Sequence, residues 1–381
     1  MKHHLYNPGF KFVIEAEHFN KYTDRELLQY CLGATMYMPG FQDFAPKVLS
    51  NAMPGLTTMV LCFEDACPEE RVEEAMMKSH DLLSTVSQAV EDGRLDEDLV
   101  PLIFVRVRSL DQFKAFSKKL TKQEIKSLCG INFPKFNTTN GYEYFAHLQD
   151  LNEHFDEIIY GMPIIEDETV AYKETRLTEL FNIKSILDKY RDLVLQVRVG
   201  ATDFSSCFGV RRGVDYSIYD IMTVREILSD ILNVFSRNND YVLSGPVWEY
   251  FRQTKDMMFE DLHEHNIEDS LLRRKKIFNH EIDGLLREVI LDKANGFVGK
   301  TVIHPTHVKY VNALMAVTSE AYDDACQIMN TNDGVIKSLS QNKMNEIRPH
   351  TKWAEKICMR ARAFGVIENE RSYFKLFSFE D

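Results

Sequence analysis

The chain has 381 residues, 44% of them hydrophobic and 27% charged, the composition of a soluble globular protein large enough for one barrel-sized domain with insertions or for two smaller ones. A formal charge of −13 argues against a nucleic-acid binder, which needs a basic face to displace counterions, and against an anionic membrane surface as partner. No apolar run approaches the ~20 residues of a membrane span, the N-terminus MKHHLYNPGF lacks the apolar core of a signal peptide, and seven scattered cysteines with no CxxC pair indicate neither a disulfide framework nor structural zinc, which fits a reducing cytoplasm.

In chain order, GATMYMPG (33–40) reads as a buried strand closed by a Pro-Gly turn, and LTTMVLCFED (56–65) as a second. The segment after it has helical apolar spacing and stops at Gly93. VPLIFVRVR (100–108) and SLCGINFPKF (127–136) are the third and fourth strands, each trailed by a helical stretch, the second of these near 141–154. GMPIIEDE (161–168) and RVGATDF (198–204) are the fifth and sixth, separated by helix-prone sequence. An amphipathic helix over 223–239, a seventh strand YVLSGPVWE (241–249), a charged helical region over about 252–290, an eighth strand GKTVIHP (299–305) and a helix over 317–330 follow. Eight apolar strands alternating with helices are the pattern of a (β/α)8 TIM barrel with helical insertions, here over residues 1–330; a doubly wound open sheet is the rival. Residues 331–381 hold no clear strand and read as a helical C-terminal extension.

Nearly every strand ends in a charged or hydrogen-bonding residue: Glu64 and Asp65, Arg106, Lys135, Glu166, Asp203, Glu249 and His304. In a barrel these ends converge on the face where active sites sit. Glu166 and Asp203, two carboxylates at successive strand ends, suit magnesium, which takes oxygen ligands and is held by one or two carboxylates plus substrate; Glu168 is the alternative to Glu166. An arginine inside an apolar strand needs a partner, and the fork of Arg106 suits either a substrate carboxylate or a salt bridge to an acid such as Glu64. Arg108 has the same parity and could be the inward one instead. Lys135 could neutralise a second anionic group or pair with an acid, a Schiff-base role being the lesser option.

Two further motifs carry no chemistry. ANGFVGKT (294–301) fits a loose phosphate loop, but its lysine enters an apolar strand instead of opening a helix. HEH (263–265) puts its two histidines on different faces of a charge-rich helical region.

The ordered set YMPG, CFEDACP, FVRV, FPK, PIIE, GATDF and GKTVIHPTHVKYVN resembles the citrate lyase beta-subunit-like proteins of the HpcH/HpaI aldolase superfamily, over roughly residues 33–330. The long insertions resemble the carbon–carbon bond lyase branch associated with tellurium resistance. The resemblance implies a cytoplasmic, magnesium-dependent barrel, trimeric as a homo-oligomer, acting on a small carboxylic acid or acyl-CoA. It implies metal ligation by Glu166 and Asp203, catalytic roles for Arg106, Glu64, Asp65 and Lys135, and substrate contact for Arg106, Lys135, Pro39 and His304. Cys62 replaces the first acid of the second-strand motif, and Asp333-Gly334 is not followed by the further acid that malyl-CoA-type members carry, which speaks against a thioester reaction. A metal- and acid-binding barrel serving as a scaffold subunit is the non-enzymatic alternative, and chemistry on a phosphorylated or nucleotide-like substrate a third.

Overall fold

The computed structural model describes residues 2–252 and 277–377. Six of the apolar runs and the GKTVIHP run form strands: β1 (Ala34–Pro39), β2 (Thr58–Cys62), β3 (Leu102–Arg106), β4 (Leu128–Phe133), β5 (Tyr160–Ile165), β6 (Arg198–Val199) and β7 (Lys300–Val302). All pairings are parallel, in the order β6-β5-β4-β3-β2-β1-β7. Strands β2 to β6 are buried at every position, as parallel strands covered by helices on one side and by a packed lumen on the other must be.

The two edge strands do not stay open. Val197 N–H donates to the Val242 carbonyl (2.9 Å) and Ser244 N–H to the Val197 carbonyl (3.0 Å). On the other side Val298 N–H donates to Leu243 (2.8 Å) and Gly245 N–H to Gly299 (3.1 Å). The segment over 242–245 therefore fills the gap between β6 and β7 and closes a (β/α)8 TIM barrel. The expected seventh strand over 241–249 is reduced to isolated bridges at Leu243 and Gly245, because Pro246 has no N–H with which to continue the ladder.

The sixth strand is also shorter than expected. Gly200 ends it and serves as N-cap of the helix Ala201–Cys207, so Asp203 sits in the first turn of a helix and not at a strand end. A carboxylate there faces the positive end of the helix. Around the barrel, the helix Val72–Glu91 ends before Gly93, whose φ of +69° suits glycine. The helix Leu110–Ser117 is capped by the Ser109 side chain. Of the charged region over 252–290, the described part contains the helix His280–Ala294; the HEH motif lies outside the described residues.

Lys300 opens β7 and does not cradle a phosphate. Its Nζ is fully buried between Glu288 (2.8 Å) and Asp292 (2.7 Å) of the helix His280–Ala294. Arg212 also pairs with Glu288, and the Tyr219 hydroxyl donates to Asp292 (2.6 Å). The charges are balanced within the barrel wall, as burial demands.

Beyond the barrel, the helix Ser319–Met329 packs on Ile347–Phe364 around an apolar cluster of its own that includes Val317, Ile328, Ile347 and Ile357. The C-terminal stretch is not wholly helical. Val335–Lys337 pairs antiparallel with Met344–Glu346, and Val366–Ile367 pairs with Val317–Thr318. These strands are two or three residues long, and VIK and MNE offer no apolar alternation to read. Among the described residues no helix is long and apolar enough to cross a membrane.

Two buried histidines make the fold acid-sensitive. The His4 Nε2–H donates to the Phe364 carbonyl (3.0 Å) and the His307 Nε2–H to the Tyr250 carbonyl (3.1 Å). Burial lowers the pKa of each to about 4, with the neighbouring charge of His304 adding to the effect at His307. Both folded values lie below the unfolded one, so the stability these groups contribute is present above about pH 6.5 and is lost as pH falls towards 4. Urea unfolding between pH 7 and pH 4.5 should show a loss of about 2–3 kcal/mol per histidine, smaller by one share in His307→Gln. A pH-independent midpoint over that range would contradict this assignment.

Candidate functional site

Of the residues expected to carry chemistry, Glu64, Asp65, Arg106, Lys135, Glu166 and Asp203 meet at the C-terminal rim of the barrel. Arg106, the last residue of β3, lies at the centre. Its Nη2 contacts Glu64 Oε2 (2.6 Å) and Glu166 Oε1 (3.0 Å), and its Nη1 contacts Asp65 Oδ2 (3.1 Å). The two acids follow β2 and Glu166 follows β5, so one guanidinium ties three strands together. Lys135, two residues past β4, places its Nζ 2.7 Å from Glu64 Oε1 and 3.9 Å from Asp203 Oδ1.

The backbone of Lys135 takes part as well. Its φ is +45°, an uncommon conformation for a residue with a side chain. The turn is held by its own N–H donating to Glu166 Oε1 (3.0 Å) and its carbonyl accepting from Asn140 Nδ2 (3.0 Å). Glu166 is thus fixed by two donors on one oxygen. Its other oxygen, Oε2, accepts no hydrogen bond from a described residue and lies against Gly200, where an added Cβ would come within 2.1 Å of it. Glycine at 200 is what leaves room for this carboxylate.

Burial raises the Glu166 pKa to about 7, Arg106 pulls against this, and Asp203 pushes it further up. Burial likewise raises Asp203, opposed by Lys135 and assisted by Asp65. Burial also works against ionisation of Asp65, but its hydrogen bond with Glu64 and the charges of Arg106 and Lys135 hold its pKa below the ordinary value. Asp203 is therefore close enough to disfavour the charge of Glu166, a repulsion that a shared cation would relieve. Among the described residues no group of three or more His, Cys, Asp or Glu is arranged to hold a metal. Two carboxylates with open coordination positions fit a magnesium ion that keeps waters and takes its remaining ligands from substrate.

Glu166 and Asp203 border a cleft of about 420 Å³, lined also by Tyr37, Arg106, Arg198 and Thr301. Arg198 forms part of its floor and is 1% exposed. It donates to Thr35 Oγ1 (3.2 Å), Gln196 Oε1 (3.0 Å) and Thr301 Oγ1 (2.6 Å), all uncharged, and pairs with no carboxylate among the described residues. Among the described residues its Nε has no hydrogen-bond partner. The Tyr37 ring lies 5.7 Å from this guanidinium and 5.8 Å from that of Arg106. Arg198 escaped the sequence reading, although an arginine within the apolar run RVGATDF is the same signal that singled out Arg106.

The remaining candidates fall elsewhere. Arg108 does not line the cleft and donates to the Phe63 and Cys67 carbonyls (2.6 and 2.5 Å). Glu168 is exposed at the start of the helix Glu168–Ala171, outside the cleft lining. His304 stacks on Phe251 with ring centroids 4.3 Å apart and hydrogen-bonds Thr306, while Thr301 and Ile303 of the same segment reach the cleft. Pro39 ends β1 opposite Cys62, and its neighbour Tyr37 is the β1 residue in the lining. Glu249 pairs with Arg212 (2.8 Å).

No curated protein sequence is significantly similar to the chain. Among solved structures it is similar to CitE from Mycobacterium tuberculosis in complex with magnesium, acetoacetate and coenzyme A, with a TM-score of 0.51 and 15% identity over 87% of this chain and 99% of that one. It is also similar to malate synthase of Haloferax volcanii in a lead(II) complex, with a TM-score of 0.51 and 11% identity over 87% of this chain and 88% of that one. At these identities the likeness is one of fold. The family model described as a C–C bond lyase of the TIM-barrel fold matches residues 26–366, and the chain belongs to that family.

Proposed function

We propose that the protein is a magnesium-dependent carbon–carbon bond lyase or aldolase acting on a small 2-oxo or hydroxy carboxylic acid or its CoA thioester. The observation that carries this reading is the pair Glu166 and Asp203 at the barrel rim, with Glu166 Oε2 left open over Gly200. Family membership supports it. So does the likeness in fold to CitE, which was solved in complex with magnesium, acetoacetate and coenzyme A. In this reading the ion rests on Glu166 and Asp203 and, when bound, supplies Lewis-acid polarisation of a substrate carbonyl. Arg106 holds the Glu64, Asp65 and Glu166 carboxylates in place, and Lys135, whose pKa is raised against burial by Glu64, remains a cation that faces developing negative charge. A protonated lysine does not serve as a Schiff-base nucleophile.

Arg198 takes a role that Arg106 is too engaged to fill alone. Its buried, unbalanced charge favours a substrate carboxylate at the cleft floor. Asp333 is exposed and paired with Arg348 (2.8 Å), and no acid follows in its segment, which favours a free acid over a thioester. A cytoplasmic homo-oligomer belongs to the reading on the sequence resemblance alone.

Glu166→Gln and Asp203→Asn should each weaken magnesium binding at least tenfold by calorimetry, with the far-ultraviolet spectrum retained; unchanged affinity in both would remove the metal site. Gly200→Ala should produce a similar loss without deleting a ligand, because its Cβ displaces Glu166, whereas wild-type affinity in that variant would mean Oε2 takes no part. Arg198→Gln should weaken binding of pyruvate or oxaloacetate by tenfold or more with magnesium affinity little changed, and Arg198→Lys should restore part of it. Acid binding that ignores this position would exclude Arg198 as an anion contact. If metal binds but no 2-oxo acid or acyl-CoA is turned over, the scaffold alternative replaces the enzymatic one.

A further inference from the structure

The rim cleft includes a phenol to which the reading above gives no task. Tyr37 lines it beside Arg106, Glu166, Arg198 and Asp203 and is half-buried. The residue belongs to β1, yet its hydroxyl accepts a hydrogen bond from Asn132 Nδ2 of β4 (2.7 Å). Strands β2 and β3 stand between those two in the sheet, so the contact spans the lumen and anchors the phenol there. Asn132 is fully buried, and its Oδ1 has no hydrogen-bond partner among the described residues. With Asn132 as donor, the hydroxyl keeps its own proton for another acceptor, and no described residue supplies one.

Breaking a carbon–carbon bond beside a carbonyl leaves an enolate, whose carbon must take up a proton. Few groups at the rim can give one. Asp65 is held below the ordinary carboxylate pKa and is ionised. Glu166 and Asp203 are taken by the ion in that reading, and a guanidinium does not give up its proton. Lys135 holds its proton more tightly than usual, because Glu64 raises its pKa against burial. Cys62 also reaches the cleft, but it is 1% exposed. Burial raises the Tyr37 pKa against the charges of Arg198 and Arg106 and the Asn132 hydrogen bond, with Glu166 adding to the rise, so the phenol is protonated at neutral pH. The two guanidiniums, 5.7 and 5.8 Å from its ring, would stabilise the phenolate left when the proton departs.

We propose that Tyr37 is the acid–base residue of this cleft, giving its hydroxyl proton to the enolate carbon and, as phenolate, taking it back in the reverse direction. This role rests on the lyase reading of the site. The bond to the departing carbon breaks and its electron pair forms the enolate. The enolate carbon then binds the phenolic proton, and the phenolate regains one from water in the open cleft.

Pyruvate with magnesium in deuterium oxide isolates the proton transfer. A methyl C–H bond breaks, its electron pair forms the enolate, the proton goes to the Tyr37 oxygen, and a deuteron returns. Exchange followed by NMR should be slower by about a hundredfold or more in Tyr37→Phe, with magnesium and pyruvate affinities by calorimetry little changed. The second probe is 3-fluorotyrosine in place of Tyr37, a more acidic phenol that keeps the Asn132 hydrogen bond. Exchange grows with the phenolate fraction, so its rise with pH should come at lower pH than in the wild type. The fluorine resonance should also shift when oxalate, a mimic of the enolate, is added with magnesium. Wild-type exchange in Tyr37→Phe, an unmoved pH profile or fluorine resonance, or a wild type that binds magnesium and pyruvate without exchange would each overturn the role of Tyr37 and leave the metal site standing. Exchange lost in Cys62→Ala but kept in Tyr37→Phe would move the proton to Cys62. A wild type that binds neither magnesium nor pyruvate would remove the lyase reading and the role of Tyr37 together.

Discussion

The rim of this barrel depends on the Arg106 guanidinium. Glu64, Asp65 and Glu166 arrive from two different strands, and without a cation between them their mutual repulsion in a partly buried site would amount to several kcal/mol. Arg106 is inside β3 because its strand neighbours are apolar, and it is stable there only because the acids reach it. Strand register and site geometry are thus one constraint: a shift of β3 by one residue would turn Arg106 to the other face and take from Glu64, Asp65 and Glu166 the one cation that contacts all three.

The same clamp divides the labour of Glu166. One oxygen is occupied by Arg106 and the Lys135 amide, which orient the group, and the other faces the cleft over Gly200. In the proposed reading, a carboxylate oriented in this way would meet an ion with its geometry already set by its surroundings. Arg198 lies below, with neutral partners only, so the cleft combines a negative rim with a positive floor. That polarity suits a ligand whose oxygen-rich end meets a cation at the rim and whose carboxylate descends to the arginine.

Much of this was legible in the sequence, for physical reasons that also explain the rest. Continuous apolar runs such as LTTMVLC and PLIFVR, short and bounded by turn residues, read as strands buried on both faces, and their order with intervening helical periods pointed to the barrel. The segment over 241–249 looks the same by composition, but Pro246 limits it to bridges. GATDF continues an apolar run and so suggests a strand ending at Asp203, whereas Gly200 caps a helix that starts at Ala201. The Arg106–acid contacts were visible as a requirement, with Glu64 as the candidate acid: burial demanded a counter-charge, and tertiary structure supplied Glu64 together with Asp65 and Glu166. Arg198 demanded one equally and received none from the described residues. The strands beyond Asn330 were illegible because two- or three-residue segments such as MNE have no period.

The account stands or falls on where a divalent cation binds. Anomalous diffraction from crystals of the full chain soaked in manganese, a substitute for magnesium with a measurable signal, locates the ion directly. The expected result is one strong peak within coordination distance of Glu166 Oε2 and an Asp203 carboxylate oxygen, absent in Glu166→Gln. A peak held by other residues, or none at saturating manganese, would contradict it.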